Sequence, residues 1–282
     1  MIIMIWAMSL TIRVGDFLLA LKNFKGFSSG VLFNFALAPV LCWILATAIL
    51  HNYPDLATGL ILIGVVPCAG MAMVWTGMLK GNVPLSIVIG ASTMVIAPFL
   101  IPALMLVLAG SYVHININMI EMFRDLLITV LFPVCAGIAS RWAVEHATLK
   151  SRDKLQDYLV VFPSISAIMA MLLMFMVINT SIQMILKNTN LLPPLVVSTI
   201  LVFPIMFGVA RLLSKKLFDY DSSIAITYSS GMKNLPIAMG IAITSFGKMS
   251  ALPIAVSFIF QMVTAVGFYR VFRNNEKSGE EL

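Results

Sequence analysis

Runs of about 20 apolar residues recur along this chain of 282 residues, each long enough to carry a helix across the hydrocarbon core of a bilayer. Nine such spans are predicted, over roughly 1–13, 28–50, 56–79, 83–109, 119–140, 158–184, 191–213, 222–247 and 250–270. Turn-rich or charged segments divide them, such as Asn52-Tyr53-Pro54-Asp55 and Phe218-Asp219-Tyr220-Asp221. With 60% hydrophobic and 11% charged residues and a mean hydropathy of +1.01, the chain is too apolar for an ordinary soluble domain. No linker separates the runs, so one all-α polytopic membrane unit is expected over 1–282. The net charge of +6 does not form a patch, and nucleic acid is not an expected partner; the lipid bilayer is. The three cysteines, Cys42, Cys68 and Cys135, all fall in apolar spans and suggest no disulfide.

Loop charges test the span count independently. With the N-terminus outside, the inner loops and tail hold Arg13, Lys22, Lys25, Lys80, Arg141, Lys150, Arg152, Lys154, Arg211, Lys215, Lys216, Arg270, Arg273 and Lys277, which is 14 of the 18 basic residues. Arg124, Lys187 and Lys248 fall outside, and Lys233 is buried in a span. That asymmetry is what the positive-inside rule asks of a correct topology. A multi-pass plasma-membrane protein with its N-terminus outside and its C-terminus cytoplasmic is predicted.

Two spans are interrupted alike. The third carries Gly64-Val65-Val66-Pro67-Cys68-Ala69-Gly70 at its middle, and the eighth carries Ser229-Ser230-Gly231-Met232-Lys233-Asn234-Leu235-Pro236. Breaks at corresponding places in two halves point to an inverted-repeat transporter with its site near mid-membrane. Lys233 sits about ten residues from each end of its span, too deep for its stem to reach the headgroups. An ionisable group at that depth is a functional candidate by default. Its ammonium is expected to replace a bound cation, to compensate half-helix dipoles and to attract an anion, with proton exchange as a possible coupling. The competing structural reading is a cation bonded to carbonyls at the break. Asn34, Ser86, Ser229, Ser230 and Asn234 supply hydroxyls and amides that are candidates to line the cavity, the alternative being that they satisfy unwound backbone, with a backbone role for Met232. Pro67, Gly70, Gly231 and Pro236 are the expected hinge of the crossing, where Gly adds backbone freedom and Pro withholds an N–H.

At these residues the chain resembles the bile acid:sodium symporter family, whose superfamily includes arsenite efflux permeases. The most specific stretch is Val65 to Gly110, by the spacing from Pro67 to Gly81-Asn82, Leu85-Ser86, Pro98 and Pro102. Ser230 to Ala242 resembles the family's second crossover, and Phe33 to Pro39 its Gln-Phe-x-x-Met-Pro, with Asn34 in place of Gln. The resemblance is to the nine-helix form, which lacks the first helix of the ten-helix members. It implies a core of spans two, three, four, seven, eight and nine, and a panel of spans one, five and six (about 1–13, 119–140 and 158–184).

The departures bear on coupling. Where sodium-coupled members carry a Ser-Asn pair, this chain has Ala72 and Met73; a Thr one turn after Ser86 is Gly90. The family's Glu-x-Gly-x-Gln-Asn reads Ser229 to Asn234, so the shared carboxylate becomes Ser229 and a ligand amide becomes Lys233. Lys has three donors and no acceptor, and a charged amine repels a neighbouring ion. Ordinary two-sodium coupling is therefore not expected, and no cofactor is. Pro67, Cys68, Met71, Val74 and Trp75 resemble instead the arsenite permeases, which implies a soft thiol ligand at Cys68. The leading expectation is a secondary transporter of a small organic anion working by alternating access. Metalloid efflux through Cys68 is the alternative, with a channel or an intramembrane enzyme the readings from another class. An enzyme would need paired carboxylates or a metal cluster at depth, whereas the acidic residues lie near span ends or outside spans, and His51, His114 and His146 lie in loops.

Overall fold

The computed structural model describes residues 2–10, 24–110, 119–146 and 189–278, with isolated helical positions between 168 and 179. The predicted sixth span, 158–184, lies outside the described residues apart from those positions, as do Arg13, Lys22, His114 and the basic segment Lys150 to Lys154. The described residues form helices α1 (Ile2–Ser9), α2 (Phe24–Ile49), α3 (Pro54–Val65), α4 (Met71–Met78), α5 (Val83–Ala109), α6 (119–145), α7 (Leu192–Leu217), α8 (Tyr220–Gly231), α9 (Leu235–Phe246) and α10 (Lys248–Ser278). Five stretches, in α2, α5, α6, α7 and α10, are long and apolar enough to cross a membrane unaided. The shorter apolar α3 and α9 are halves of the two interrupted spans. The last helix runs past the predicted end at 270.

Local chemistry sets these boundaries. Pro54 opens α3 at a position whose N–H would be unpaired anyway, and Asp55 in that turn suits the positive helix end. The helix stops because Pro67 disfavours a helical residue before it: Val66 is extended, with φ −71° and ψ 155°. The eighth span breaks differently. Asp219 caps α8 by accepting from the Ser222 N–H at 3.1 Å, and α8 continues through Gly231. Met232 is then extended, and the Asn234 side chain caps α9 by accepting from the Ile237 N–H at 3.3 Å. Pro236 sits in the first turn of α9, so it starts the second half-helix. Gly231 has no left-handed backbone to serve; a Cβ there would run into the Phe207 ring.

α3 is central. Every residue from Leu56 to Val65 is buried, enclosed by α2, α5 and α10. Gly64 lets α2 come close, since a Cβ on it would lie 2.9 Å from the Ala38 carbonyl oxygen and from Cys42 Cβ and Sγ. Helix ends that the charge pattern assigns to one membrane face meet in pairs. Arg141 Nη1 donates to the Leu10 carbonyl at 2.7 Å, Lys25 Nζ to that of Leu217 at 3.4 Å, and the Asn82 N–H to that of Asp221 at 3.0 Å.

The close approach of α2 and α3 yields a prediction. Gly64→Val should destabilise the protein by about 1–3 kcal/mol, the usual cost of overpacking a tight core. Thermal unfolding in detergent reads the effect, and an unchanged midpoint would contradict the close approach.

Candidate functional site

The two breaks cross. In the unwound stretch after α3, the Ala69 N–H donates to the Met232 carbonyl at 2.8 Å; in return the Asn234 N–H donates to the Pro67 carbonyl at 2.9 Å. Cys68 and Lys233 face each other across this pair as a short antiparallel bridge. Each break thus supplies the partners that the other lost by unwinding. Two further amides are met by side chains: the Lys233 N–H by Gln261 Oε1 at 3.0 Å, the Cys68 N–H by Thr93 Oγ1 at 3.3 Å.

Lys233 is fully buried at this crossing. Its Nζ donates to Asn34 Oδ1 at 2.7 Å, to the Asn34 carbonyl at 2.9 Å and to the Val66 carbonyl at 3.2 Å. Three acceptors match the three N–H groups of an ammonium. All three are uncharged, so an ammonium in this place is held by dipoles alone. Val66 follows the last residue of α3, so the amine lies at the carbonyl end of that half-helix, where the helix dipole is negative, and the end of α8 is linked to it through Asn34. Asn34 lies in a π-helical turn, Phe33–Leu37, and its Nδ2 donates to the Ser229 carbonyl at 2.6 Å. That carbonyl's regular helical partner would be the Lys233 N–H, which Gln261 has taken.

The other candidates separate into two groups. Ser86 and Ser229 share a hydrogen bond between hydroxyls at 3.1 Å, beside the crossing. Cys68 Sγ donates to the Ala69 carbonyl at 3.3 Å and is buried. Asn234 Nδ2 is buried with no partner among the described residues, a donor at the start of α9. Met232 takes part through its carbonyl, while Pro67 and Gly70 lie in the unwound stretch between α3 and α4. Ser230, by contrast, turns its hydroxyl back to the Ile226 carbonyl at 2.7 Å on its own helix. Gly231 and Pro236 have the architectural roles given above. Sequence reading missed Gln261 and Thr93; an amide midway along an otherwise apolar ninth span was the available signal for Gln261.

The sequence profile of the Sodium Bile acid symporter family matches residues 1–189. Among individual proteins, the chain is 26% identical over 255 residues to the "Uncharacterized sodium-dependent transporter YocS" of Bacillus subtilis (strain 168), covering 90% of this chain and 75% of that one. It is 25% identical over 266 residues to the "Arsenical-resistance protein Acr3" of Corynebacterium glutamicum, covering 86% and 70%. It is 28% identical over 254 residues to the "Probable sodium/metabolite cotransporter BASS1, chloroplastic" of Arabidopsis thaliana, covering 89% and 60%.

Asn34 carries two of the three bonds to the ammonium, one from its side chain. Asn34→Leu should therefore cost at least the about 1.5–3 kcal/mol of a hydrogen bond to a charged group. The loss should show as a lower unfolding midpoint in detergent. A variant as stable as the parent would mean that the amide does not bind the amine.

Proposed function

The chain belongs to the Sodium Bile acid symporter family and is a multi-pass membrane transporter, and from that premise we propose that it moves a small organic anion by alternating access without two-sodium coupling. The observation that carries the reading is the buried amine of Lys233, bound to three uncharged oxygens, two from Asn34 within α2 and one from Val66 at the carbonyl end of a half-helix. Unwound carbonyls and half-helix ends of this kind are the setting in which transporters hold a coupling cation. An ammonium satisfies the same dipoles but is tethered, so it cannot leave on the far side and draws nothing from an ion gradient. A second cation about 4 Å away would be repelled by about 4 kcal/mol at an effective dielectric of 20. That is roughly a thousandfold loss of affinity. Ser229, in place of the carboxylate that the resemblance leads one to expect, offers no charge to offset it.

On this reading the anion meets the positive ends of α4 and α9 and the amide donor of Asn234, beside the Ser86–Ser229 pair. Spans one, five and six act as the panel against which the crossing region moves. The N-terminus faces outward in the plasma membrane, as the loop charges favour. Proton exchange at the amine, once motion separates its acceptors, is the coupling route left.

Liposomes test the proposal. Uptake of small carboxylates by the purified protein should not respond to a sodium gradient, and Lys233→Gln should lower uptake by about tenfold or more or change its pH dependence. Unchanged transport under all gradients would end the reading. One observation favours metalloid efflux as a second reading: Cys68 is a residue of the backbone bridge itself, and its thiol donates to the Ala69 carbonyl beside it. Thermal stabilisation by arsenite that disappears in Cys68→Ser would support it, whereas stabilisation by carboxylates alone would remove it.

A further inference from the structure

We infer that Pro39 is a positioning residue for the buried cation: by withholding a backbone N–H from the Asn34 carbonyl, it keeps that oxygen free for Lys233. In an α-helix a carbonyl accepts from the N–H four residues on, and in a π turn from the N–H five residues on. For Asn34 those partners are residues 38 and 39. The Ala38 N–H donates to the Phe33 carbonyl, one residue back. Residue 39 is proline and has no N–H. The Asn34 carbonyl is thus stranded inside its own helix, at a buried residue, and the Lys233 ammonium binds it at 2.9 Å.

The second main-chain acceptor arises in a parallel way. Val66 would accept from the Gly70 N–H if α3 continued, and Pro67 ends α3 just before that bond can form. A proline therefore stands behind each of the two main-chain oxygens that hold the ammonium. At Val66 the proline opens the chain visibly. At Asn34 the span stays helical from Phe24 to Ile49, and the freed oxygen shows only in its bonding. An alanine at 39 supplies the missing N–H, either to the Asn34 carbonyl directly or by letting the π turn relax to α. In both cases the ammonium must share the Asn34 carbonyl with a competing, helix-aligned donor, which weakens and misaligns its own bond.

The inference rests on the reading of Lys233 as the resident cation of the crossing, and its test separates the two. Four proteins are compared by thermal unfolding in detergent and by carboxylate uptake in liposomes: the parent, Pro39→Ala, Lys233→Met and the double variant. Pro39→Ala should lower the midpoint by several degrees when Lys233 is present. In the Lys233→Met background, where the charge is gone, the same change should lower it far less, or raise it, because alanine then only restores a helical bond. Ala46→Gly, a buried truncation on the same helix that supplies no new N–H, should shift both backgrounds equally. Equal shifts for Pro39→Ala in both backgrounds would overturn the inference, since the ring would then only fill space. If Lys233→Met does not fold, Lys233→Gln closes the same cycle. If neither does, acylation of Lys233 by a membrane-permeant amine reagent, read by mass spectrometry, should be faster in Pro39→Ala than in Ala46→Gly, and equal rates would overturn the inference. Coupled midpoints with uptake unaffected by Lys233→Met would leave this inference standing and remove the transport reading. Uncoupled midpoints with uptake lost would do the reverse.

Discussion

A chain that unwinds two helices inside a bilayer must find a partner for every backbone group it frees, because there is no bulk water at that depth to take them. Each unpaired group would cost several kcal/mol, and a handful would exceed the about 5–15 kcal/mol by which a folded protein is stable. Here the two breaks meet this demand jointly. They exchange two main-chain bonds, Gln261 and Thr93 take the next two amides, Asn34 takes the Ser229 carbonyl, and the ammonium of Lys233 takes the carbonyls of Asn34 and Val66. Neither half of the crossing is satisfied without the other.

The same arrangement is suited to holding a charge at full burial among uncharged partners. Desolvating an ammonium is expensive, and three oxygens, two from Asn34 within α2 and one at the carbonyl end of α3, offset that cost only if their geometry is held. Much of the surrounding packing serves this end. Gly64 brings α2 against α3, so oxygens from the two helices reach one amine, and Gly231 lets Phe207 close over the end of α8. Tyr228 adds a bond from its hydroxyl to the Ala265 carbonyl at 2.9 Å, tying α8 to α10 one turn before the break.

Much of this could be read from the sequence. The apolar runs, the basic loops and the paired Pro/Gly interruptions predicted the broken spans, and Lys233 was conspicuous as a charge at mid-span. The individual roles of the break residues were less legible. Pro236 reads as a helix breaker, yet in the first turn after an Asn cap it favours helix; the same residue acts oppositely depending on where the cap falls. Ser229 and Ser230 are adjacent and chemically identical, but a helix turns them by about 100°, so one faces Ser86 and the other its own backbone. Gln261 and Thr93 lie far along the chain from the groups they satisfy, and no local pattern links them.

By itself the sequence determined that the chain is helical, that it lives in a membrane, and that two of its spans cannot run unbroken. These follow from composition, from the length of apolar runs and from the covalent restrictions of proline, all of which act locally. Only the tertiary structure decided what the unwound groups bind and how the ammonium is held. Those outcomes depend on oxygens of residues 34 and 66 meeting the amine of residue 233 within hydrogen-bond reach, and such distances are set by helix packing across the whole chain.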